Sequence, residues 1–268
     1  MSLNWIDARD FPFDTLLLLE RFQISYLCRD ITDPGFRCAL GTALRGHPHV
    51  AWYLSHRCPD CTNIIAQTIA AAPDVENPAA LRECEVAVLA AVEDFVIYTR
   101  PELMDSHCDF LRGWEPDRLL TLANFHDKYV LDVGAGNGRL AFAAATQARE
   151  VYAVEPVETL RAYMNERAQR EGMTNIRVTD GLASCLPYPD STFDIVMSGH
   201  VVGSDYDGEL AELTRVVKDG GWLIDCPGED GRRMPPKNQL RARGWEEFYY
   251  KSKNDGDVYR YRLQIHKS

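Results

Sequence analysis

Three glycines at alternate positions follow a short apolar run near the middle of the chain. Residues 130–140 read Val-Leu-Asp-Val-Gly-Ala-Gly-Asn-Gly-Arg-Leu. The apolar run predicts a buried strand, and the residues after the glycines predict a helix. Glycine is needed where a side chain would block a ligand that lies against the backbone. In open α/β sheets such a ligand sits at the carboxyl ends of the strands, so this turn is the candidate cofactor site.

The spacing of the glycines separates two classes of nucleotide site. Dinucleotide-binding folds use G-x-G-x-x-G and place a pyrophosphate at the helix N-terminus. Here the pattern is G-x-G-x-G, and Arg139 takes the position of the third small residue, which counts against NAD or FAD. The sequence also lacks the G-x-x-x-x-G-K-[ST] loop of nucleoside triphosphate sites.

Two acidic residues follow the next two predicted strands. Glu155 comes directly after the strand at 150–154, where a carboxylate can accept hydrogen bonds from ribose hydroxyls. Several adenosine cofactors contain that ribose, and a surface carboxylate at a helix N-terminus is the alternative interpretation. Asp180 follows the strand at 176–179, where it can accept a hydrogen bond from an adenine amino group. Taken alone, Asp180-Gly181 fits a simple turn equally well.

Taken in order, these stretches resemble the class I S-adenosylmethionine (SAM)-dependent methyltransferases, closest to the branch with the ubiquinone and menaquinone biosynthesis methyltransferases. That branch has a glycine motif like 131–138, an acidic residue like Glu155, and a segment like 180–194 with Leu-Pro-aromatic-Pro-Asp and Phe-Asp. The resemblance covers about residues 114–268. It implies a seven-stranded sheet and SAM as the cofactor.

The resemblance also implies which part of SAM each stretch contacts. Asp132 and the glycine turn would line the methionine end, Glu155 the ribose, and the stretch after the third strand the adenine. The candidate cofactor-binding residues are Asp132, Gly134, Ala135, Gly136, Asn137, Gly138, Glu155, Pro156, Asp180, Gly181, Leu182 and Ser198.

The end of the fourth predicted strand faces the transferable methyl group in folds of this type. Residues 197–203 read Met-Ser-Gly-His-Val-Val-Gly, and His200 is the residue there whose pKa suits a general base at neutral pH. A base is needed only if the attacking atom of the acceptor carries a proton. His200 is therefore the candidate catalytic residue, and a histidine that only packs beneath the cofactor is the alternative.

Cys58-Pro59-Asp60-Cys61 is a second pattern with possible chemistry. A C-x-x-C in a chain without a signal peptide suggests half of a zinc site or a redox pair. The nearby residues that could complete a zinc site are His47, His49, His56 and Cys38. They have no regular zinc-ligand spacing, and no βαβ unit precedes the pair as thioredoxin-like chemistry requires. We therefore interpret both cysteines as structural thiols and predict no metal site.

Two unlike parts of the chain must position these residues. Residues 1–113 form the predicted helical region, with amphipathic periodicity at 16–30, 62–72 and 78–100. From residue 114 strands alternate with helices, which indicates parallel βαβ units. Two strand-like runs in the tail, around Asn254-Asp255-Gly256, predict an antiparallel hairpin. The predicted fold is thus a doubly wound, Rossmann-like, seven-stranded and mostly parallel sheet with a C-terminal hairpin, preceded by a helical region that covers the substrate.

Composition limits the class of partner. The formal net charge is -11, which counts against nucleic acid, although residues 232–243 form a local basic stretch. The sequence shows neither a signal peptide nor an apolar run of bilayer length, so a cytoplasmic location and reduced thiols are expected.

The preferred acceptor is a small apolar or aromatic molecule. The aromatic residues that could line its pocket are Trp52, Tyr53, Tyr98 and Trp114. A non-catalytic SAM-binding module and an NAD-dependent oxidoreductase on a related fold remain as alternatives.

Overall fold

The computed structural model describes residues 6–108, 111, 114–201, 205–228, 237–252 and 256–267. The chain divides into two compact units, Met1–His107 and Cys108–Ser268. The division predicted from the sequence lies a few residues later, at 113/114. Within the described part, no helix combines the length and the apolarity that a bilayer crossing needs.

The first unit is helical around a buried aliphatic core. Two of its helices begin with a capping side chain followed by proline in the first turn. Asp33 caps the helix that starts at Pro34 by accepting from the Phe36 amide at 2.6 Å, and Asn77 accepts from Ala79 at 2.9 Å. The helices are α1 (Arg21–Arg29), α2 (Pro34–Gly46), α3 (Pro48–Arg57), α4 (Thr62–Ala71), α5 (Pro78–Ala91), α6 (Glu93–Tyr98) and α7 (Pro101–His107).

Two of the long helices predicted for this unit are wrong in their extent. Residues 16–30 form the end of a 3-10 helix, Phe13–Leu18, and then α1, because Leu19 is extended at φ -70° and ψ 139°. Residues 78–100 divide at Val92, where φ is -117° and ψ is 26°. Neither break contains glycine or proline, and the apolar periodicity continues across both because the adjoining helices bury their apolar faces in one core.

The second unit is built on a sheet whose strand order is β3-β2-β1-β4-β5-β7-β6. β1 to β5 run parallel, whereas β7 pairs antiparallel with both β5 and β6, so the predicted fold class is confirmed. The strands are β1 (Tyr129–Val133), β2 (Glu150–Val154), β3 (Ile176–Thr179), β4 (Phe193–Ser198), β5 (Val217–Gly228), β6 (Glu246–Ser252) and β7 (Gly256–Gln264).

Apolar side chains alternate between the two faces of this sheet. Val130 and Ile195 pack with α8, α9 and α10 on one face, and Leu131 and Val196 pack with α11 and α12 on the other. The helices are α8 (Asp117–Leu120), α9 (Arg139–Ala145), α10 (Glu158–Arg170), α11 (Tyr206–Val216) and α12 (Lys237–Ala242). The strand order reverses between β1 and β4, which places the crevice for a ligand at their carboxyl ends.

The helix predicted after the glycine turn spans Arg139–Ala145, and β5 spans Val217–Gly228. Part of the basic stretch, residues 232–236, and the turn of the hairpin, residues 253–255, lie outside the described residues. Of the remaining basic residues, Arg241 pairs with Glu247 and Arg243 with Asp207.

Candidate cofactor site

The glycine turn between β1 and α9 needs its glycines for two different reasons. Gly134, Gly136 and Gly138 have φ values of 65°, 58° and 90°, a left-handed conformation that costs other residues about 1–2 kcal/mol. A methyl group on Gly134 would overlap Val201, and one on Gly138 would come within 2.6 Å of Phe142. One on Gly136 would meet no protein atom within 4 Å. Packing therefore requires two of the glycines, and the third leaves an open face toward a ligand.

Glu155 ties this turn to the neighbouring strand. Its carboxylate is 5% exposed and accepts hydrogen bonds from the Gly136 amide at 2.9 Å and the Val157 amide at 3.0 Å. The turn is further fixed because the Ala135 amide donates to the Val154 carbonyl at 3.0 Å. A carboxylate has about four acceptor positions, and these two amides take up two of them. Pro156, the next residue, is half-buried.

Asp132 lies below the turn at the end of β1 and is 1% exposed. Its Oδ2 accepts from the Ala141 amide at 2.8 Å, whereas its buried Oδ1 has no hydrogen-bond partner among the described residues. Burial raises the pKa of this carboxyl from 3.8 to about 7. A buried acceptor without a donor indicates that a ligand or a water supplies one. Asn137, also in the turn, is buried.

The segment after β3 lies next to Glu155 through one shared arginine. Arg161 on α10 donates from one nitrogen to the Glu155 carbonyl at 2.8 Å and to Asp180 Oδ1 at 3.2 Å. A methyl group on Gly181 would come within 2.9 Å of Val154, so this position is closely packed. Leu182 presents an apolar side chain that is 42% exposed, which suits contact with a flat ring.

The end of β4 completes this edge of the sheet. Ser198 is fully buried and its hydroxyl donates to Asp225 Oδ1 on β5 at 3.3 Å. His200 is exposed and has φ 60°, an unusual conformation for a residue with a side chain. Because Val201 packs against Gly134, the segment that carries His200 lies beside the glycine turn. Strained residues of this kind cluster at functional sites.

Sequence reasoning missed a cluster of cationic and aromatic side chains at the same edge. The guanidinium groups of Arg139 and Arg260 lie 4.8 and 4.9 Å from the centre of the Trp114 ring. Arg260 on β7 is 3% exposed, donates to Tyr250 Oη at 2.8 Å and has its pKa lowered by burial. A methyl group on Gly199 would meet the Arg139 guanidinium at 2.8 Å, so this cluster adjoins the end of β4.

The structure does not bring His47, His49 and His56 to Cys58 and Cys61 as zinc ligands. The two sulfur atoms lie 3.2 Å apart in the buried core of the first unit. His56 bonds instead to the Trp52 carbonyl, and the other two histidines pair with carboxylates, His47 with Glu85 and His49 with Asp14. Cys38 is exposed.

Three of the aromatic residues proposed to line the acceptor pocket lie in the first unit. Tyr53 donates to the Leu19 carbonyl at 2.9 Å, and the ring of Trp52 stacks on His56. Tyr98 lies at the end of α6. Their contact with a substrate stays a prediction.

A glycine turn at a switch point, tied to a carboxylate on the adjacent strand, defines a Rossmann-like cofactor-binding domain. Comparison with known proteins gives the family. A model of the methyltransferase domain matches residues 131–225. A demethylmenaquinone methyltransferase of Geobacillus kaustophilus is 30% identical over 166 residues, which cover 54% of this chain and 71% of that protein. The chain belongs to the SAM-dependent methyltransferase family.

Two further similarities agree with this assignment. An uncharacterized methyltransferase of Bacillus subtilis is 35% identical over 98 residues, or 35% of this chain. The match spans only 39% of that relative, less than two thirds of its length. The crystal structure of a SAM-dependent methyltransferase from Aquifex aeolicus has a TM-score of 0.50 at 21% identity, covering 63% of this chain and 98% of that one. At this identity the structural likeness shows the fold.

SAM fits the residues that are present. The open face of Gly136 and the unpartnered Oδ1 of Asp132 lie where the resemblance expects the methionine end, and Glu155 lies at the adjacent strand end. The family assignment and the glycine spacing both disagree with the alternative of an NAD-dependent oxidoreductase.

Proposed function

We propose that this chain is an enzyme that transfers a methyl group from SAM to a small-molecule acceptor. The observation that carries the proposal is the open face of Gly136, in a turn that Glu155 already holds in place. Such a turn lets a ligand lie flat on the backbone at the carboxyl edge of β1 and β4.

Each candidate residue has a proposed task in binding the cofactor. Asp132 accepts hydrogen bonds at the methionine end, and Glu155 accepts them from the ribose hydroxyls. Asp180 accepts one from the adenine amino group, and the exposed side chain of Leu182 packs against the ring. The turn residues supply backbone contact, with Pro156, Gly181 and Ser198 forming the surrounding wall.

SAM supplies an activated methyl group on a sulfonium, and the departing thioether is neutral. The protein therefore contributes mainly by holding the acceptor in line, which can account for about 7–11 kcal/mol of the barrier. His200 takes up the proton of the attacking group when that group carries one. Its left-handed backbone directs the segment 199–201 along the glycine turn, which supports this task.

The acceptor that we propose is aromatic. An aromatic side chain, Trp114, adjoins this edge of the sheet, with the Arg139 and Arg260 guanidinium groups over its ring. Relatives named demethylmenaquinone methyltransferase support an acceptor of the quinone class. A cytoplasmic location and a small-molecule partner rather than nucleic acid stay predictions.

The first experiment measures binding of SAM and S-adenosylhomocysteine to the purified chain by calorimetry, with NAD as the comparison. The proposal expects both adenosyl compounds to bind and NAD to give no heat. Formation of S-adenosylhomocysteine with a panel of phenols and quinols then tests transfer. Absence of adenosyl binding would refute the assignment, and binding without transfer to any acceptor would support a non-catalytic module.

The second experiment tests the base. His200→Ala should abolish turnover and leave the Kd of SAM nearly unchanged, because the imidazole acts on the acceptor. His266→Ala, which changes an exposed histidine after β7, is the matched control and should keep full turnover. Unchanged turnover in His200→Ala would remove the base role and leave the rest of the proposal standing.

A further inference from the structure

We propose that Asp14, His47 and His49 in the first unit form a binding site for a divalent transition-metal ion such as Zn²⁺. One ligand atom from each of these three side chains lies within 4.8 Å of the other two. The centres of the two imidazole rings are 5.7 Å apart. All three residues belong to the helical unit, Met1–His107.

The local fold brings the three side chains together. His47 lies between α2 and α3, with φ -125° and ψ 68°, and Pro48 starts α3 directly after it. This places His47 and His49 on either side of a rigid proline at the start of the helix. Asp14 comes from the 3-10 helix Phe13–Leu18, and the Phe13 ring packs on the His47 ring with centroids 5.0 Å apart.

A buried carboxylate orients His47 in the way that metal-binding histidines require. Glu85 on α5 contacts His47 Nε2 at 2.7 Å and accepts from Arg82 at 2.8 Å. The same arginine donates to the Phe11 carbonyl at 2.8 Å, which fixes the segment that leads to Asp14. A histidine that ligates a metal almost always gives its other ring nitrogen to a carboxylate or carbonyl. The remaining ring nitrogen of His47, Nδ1, is then the one that a metal can use.

The outer two ligands are open to solvent. His49 Nε2 and Asp14 Oδ1 are 2.8 Å apart, and their side chains are 54% and 56% exposed. A metal ion with bonds of about 2.0–2.2 Å fits between these two atoms once they move slightly apart, and it replaces the proton of their hydrogen bond. Ion entry therefore needs no change in the helical core.

The ligand set selects the class of ion. Two imidazoles and one carboxylate favour Zn²⁺, Co²⁺, Ni²⁺ and Cu²⁺, whereas Mg²⁺ and Ca²⁺ prefer oxygen ligands alone. Three protein ligands leave a position for water on a tetrahedral ion.

Calorimetric titration of the full-length, chelator-treated protein with ZnCl₂ tests the proposal. One Zn²⁺ per chain should bind, and His49→Ala and Asp14→Asn should each weaken binding at least about 10-fold. His56→Ala, which removes an exposed histidine of α3 outside the site, is the matched control and should bind like the wild type. Circular dichroism of each variant confirms that the helical unit is folded.

The Cys58 and Cys61 thiols are the competing ligands in this unit. Titration with Co²⁺ distinguishes them, since thiolate ligands give intense near-ultraviolet absorption that imidazole and carboxylate ligands lack. If Asp14, His47 and His49 bind the ion, bound Co²⁺ should show visible absorption bands without the thiolate band. The Cys58→Ser, Cys61→Ser double variant should then bind the ion as well as the wild type. Absence of Zn²⁺ binding, undiminished affinity in His49→Ala, or binding that disappears with the thiols would each overturn the proposal.

Discussion

Substitution of Glu155 tests the central feature of the cofactor site. Glu155→Gln keeps the size of the side chain but replaces one acceptor oxygen with an NH₂ group. That group cannot accept from the Gly136 or Val157 amide, so one of two bonds of 2.9 and 3.0 Å is lost. The ribose would also lose a charged acceptor. A hydrogen bond to a charged group contributes about 1.5–3 kcal/mol. We therefore expect the Kd of SAM to rise about 10- to 150-fold.

Calorimetry with SAM measures this change, and Glu150→Gln supplies the matched control. Glu150 begins the same strand at its opposite end, where it accepts from Tyr152 Oη at 2.9 Å and pairs with Arg177 at 2.9 Å. The control should bind SAM like the wild type. The reasoning fails if Glu155→Gln binds SAM within about twofold of the wild type, or if both variants lose affinity equally.

Three further predictions follow from the same unit. Gly136→Ala should weaken SAM binding but lower the free energy of unfolding only by the backbone strain of about 1–2 kcal/mol. Gly138→Ala should lower the thermal midpoint further, because its methyl group meets Phe142. Thermal melts with and without SAM separate the two effects. Asp132 has a pKa raised to about 7 in the folded protein, so the folded state binds this proton more tightly than the unfolded one. The free energy of unfolding of the protein without SAM should therefore fall as pH rises from about 4 to about 7. In denaturant titrations, Asp132→Asn should lack this fall. An identical pH profile in both proteins would contradict the prediction. Arg260→Met should leave the thermal midpoint unchanged or raise it, since no carboxylate pairs with this buried guanidinium among the described residues. A decrease of more than about 2 kcal/mol in the free energy of unfolding would show that the ring contacts of Arg260 outweigh the cost of burying its charge.

The strands near the cofactor site were predictable because short runs rich in β-branched and aromatic residues stand between polar turns. Residues 150–154 and 176–179 are such runs, and the structure gives β2 and β3 the same limits. Once these limits are right, the position of Glu155 after β2 follows directly. The antiparallel hairpin was predictable for a similar reason, since turn residues separate two strand-like runs.

Other features depend on tertiary contacts that a local pattern does not contain. The breaks at Leu19 and Val92 have no glycine or proline, and the flanking apolar residues keep one periodicity. Arg260 sits in a strand, and its burial follows from the pairing of β7 with β5. The left-handed backbone of His200 is likewise invisible in its residue type.

The partners of His47 and His49 also could not be predicted from the sequence. Their nearness to Cys58 and Cys61 in the chain suggests those two cysteines as their partners. The structure pairs His47 with Glu85 and His49 with Asp14, which are 38 and 35 positions away. The packing of α5 against α2, and of the 3-10 helix Phe13–Leu18 against α3, brings these partners together.

The Gly136 amide donates to a carboxylate of the protein itself, that of Glu155. A turn that is fixed by such a bond has little chain entropy to lose when a cofactor binds. In deuterated buffer the Gly136 amide should exchange slowly in the free protein, and addition of SAM should slow it only slightly further.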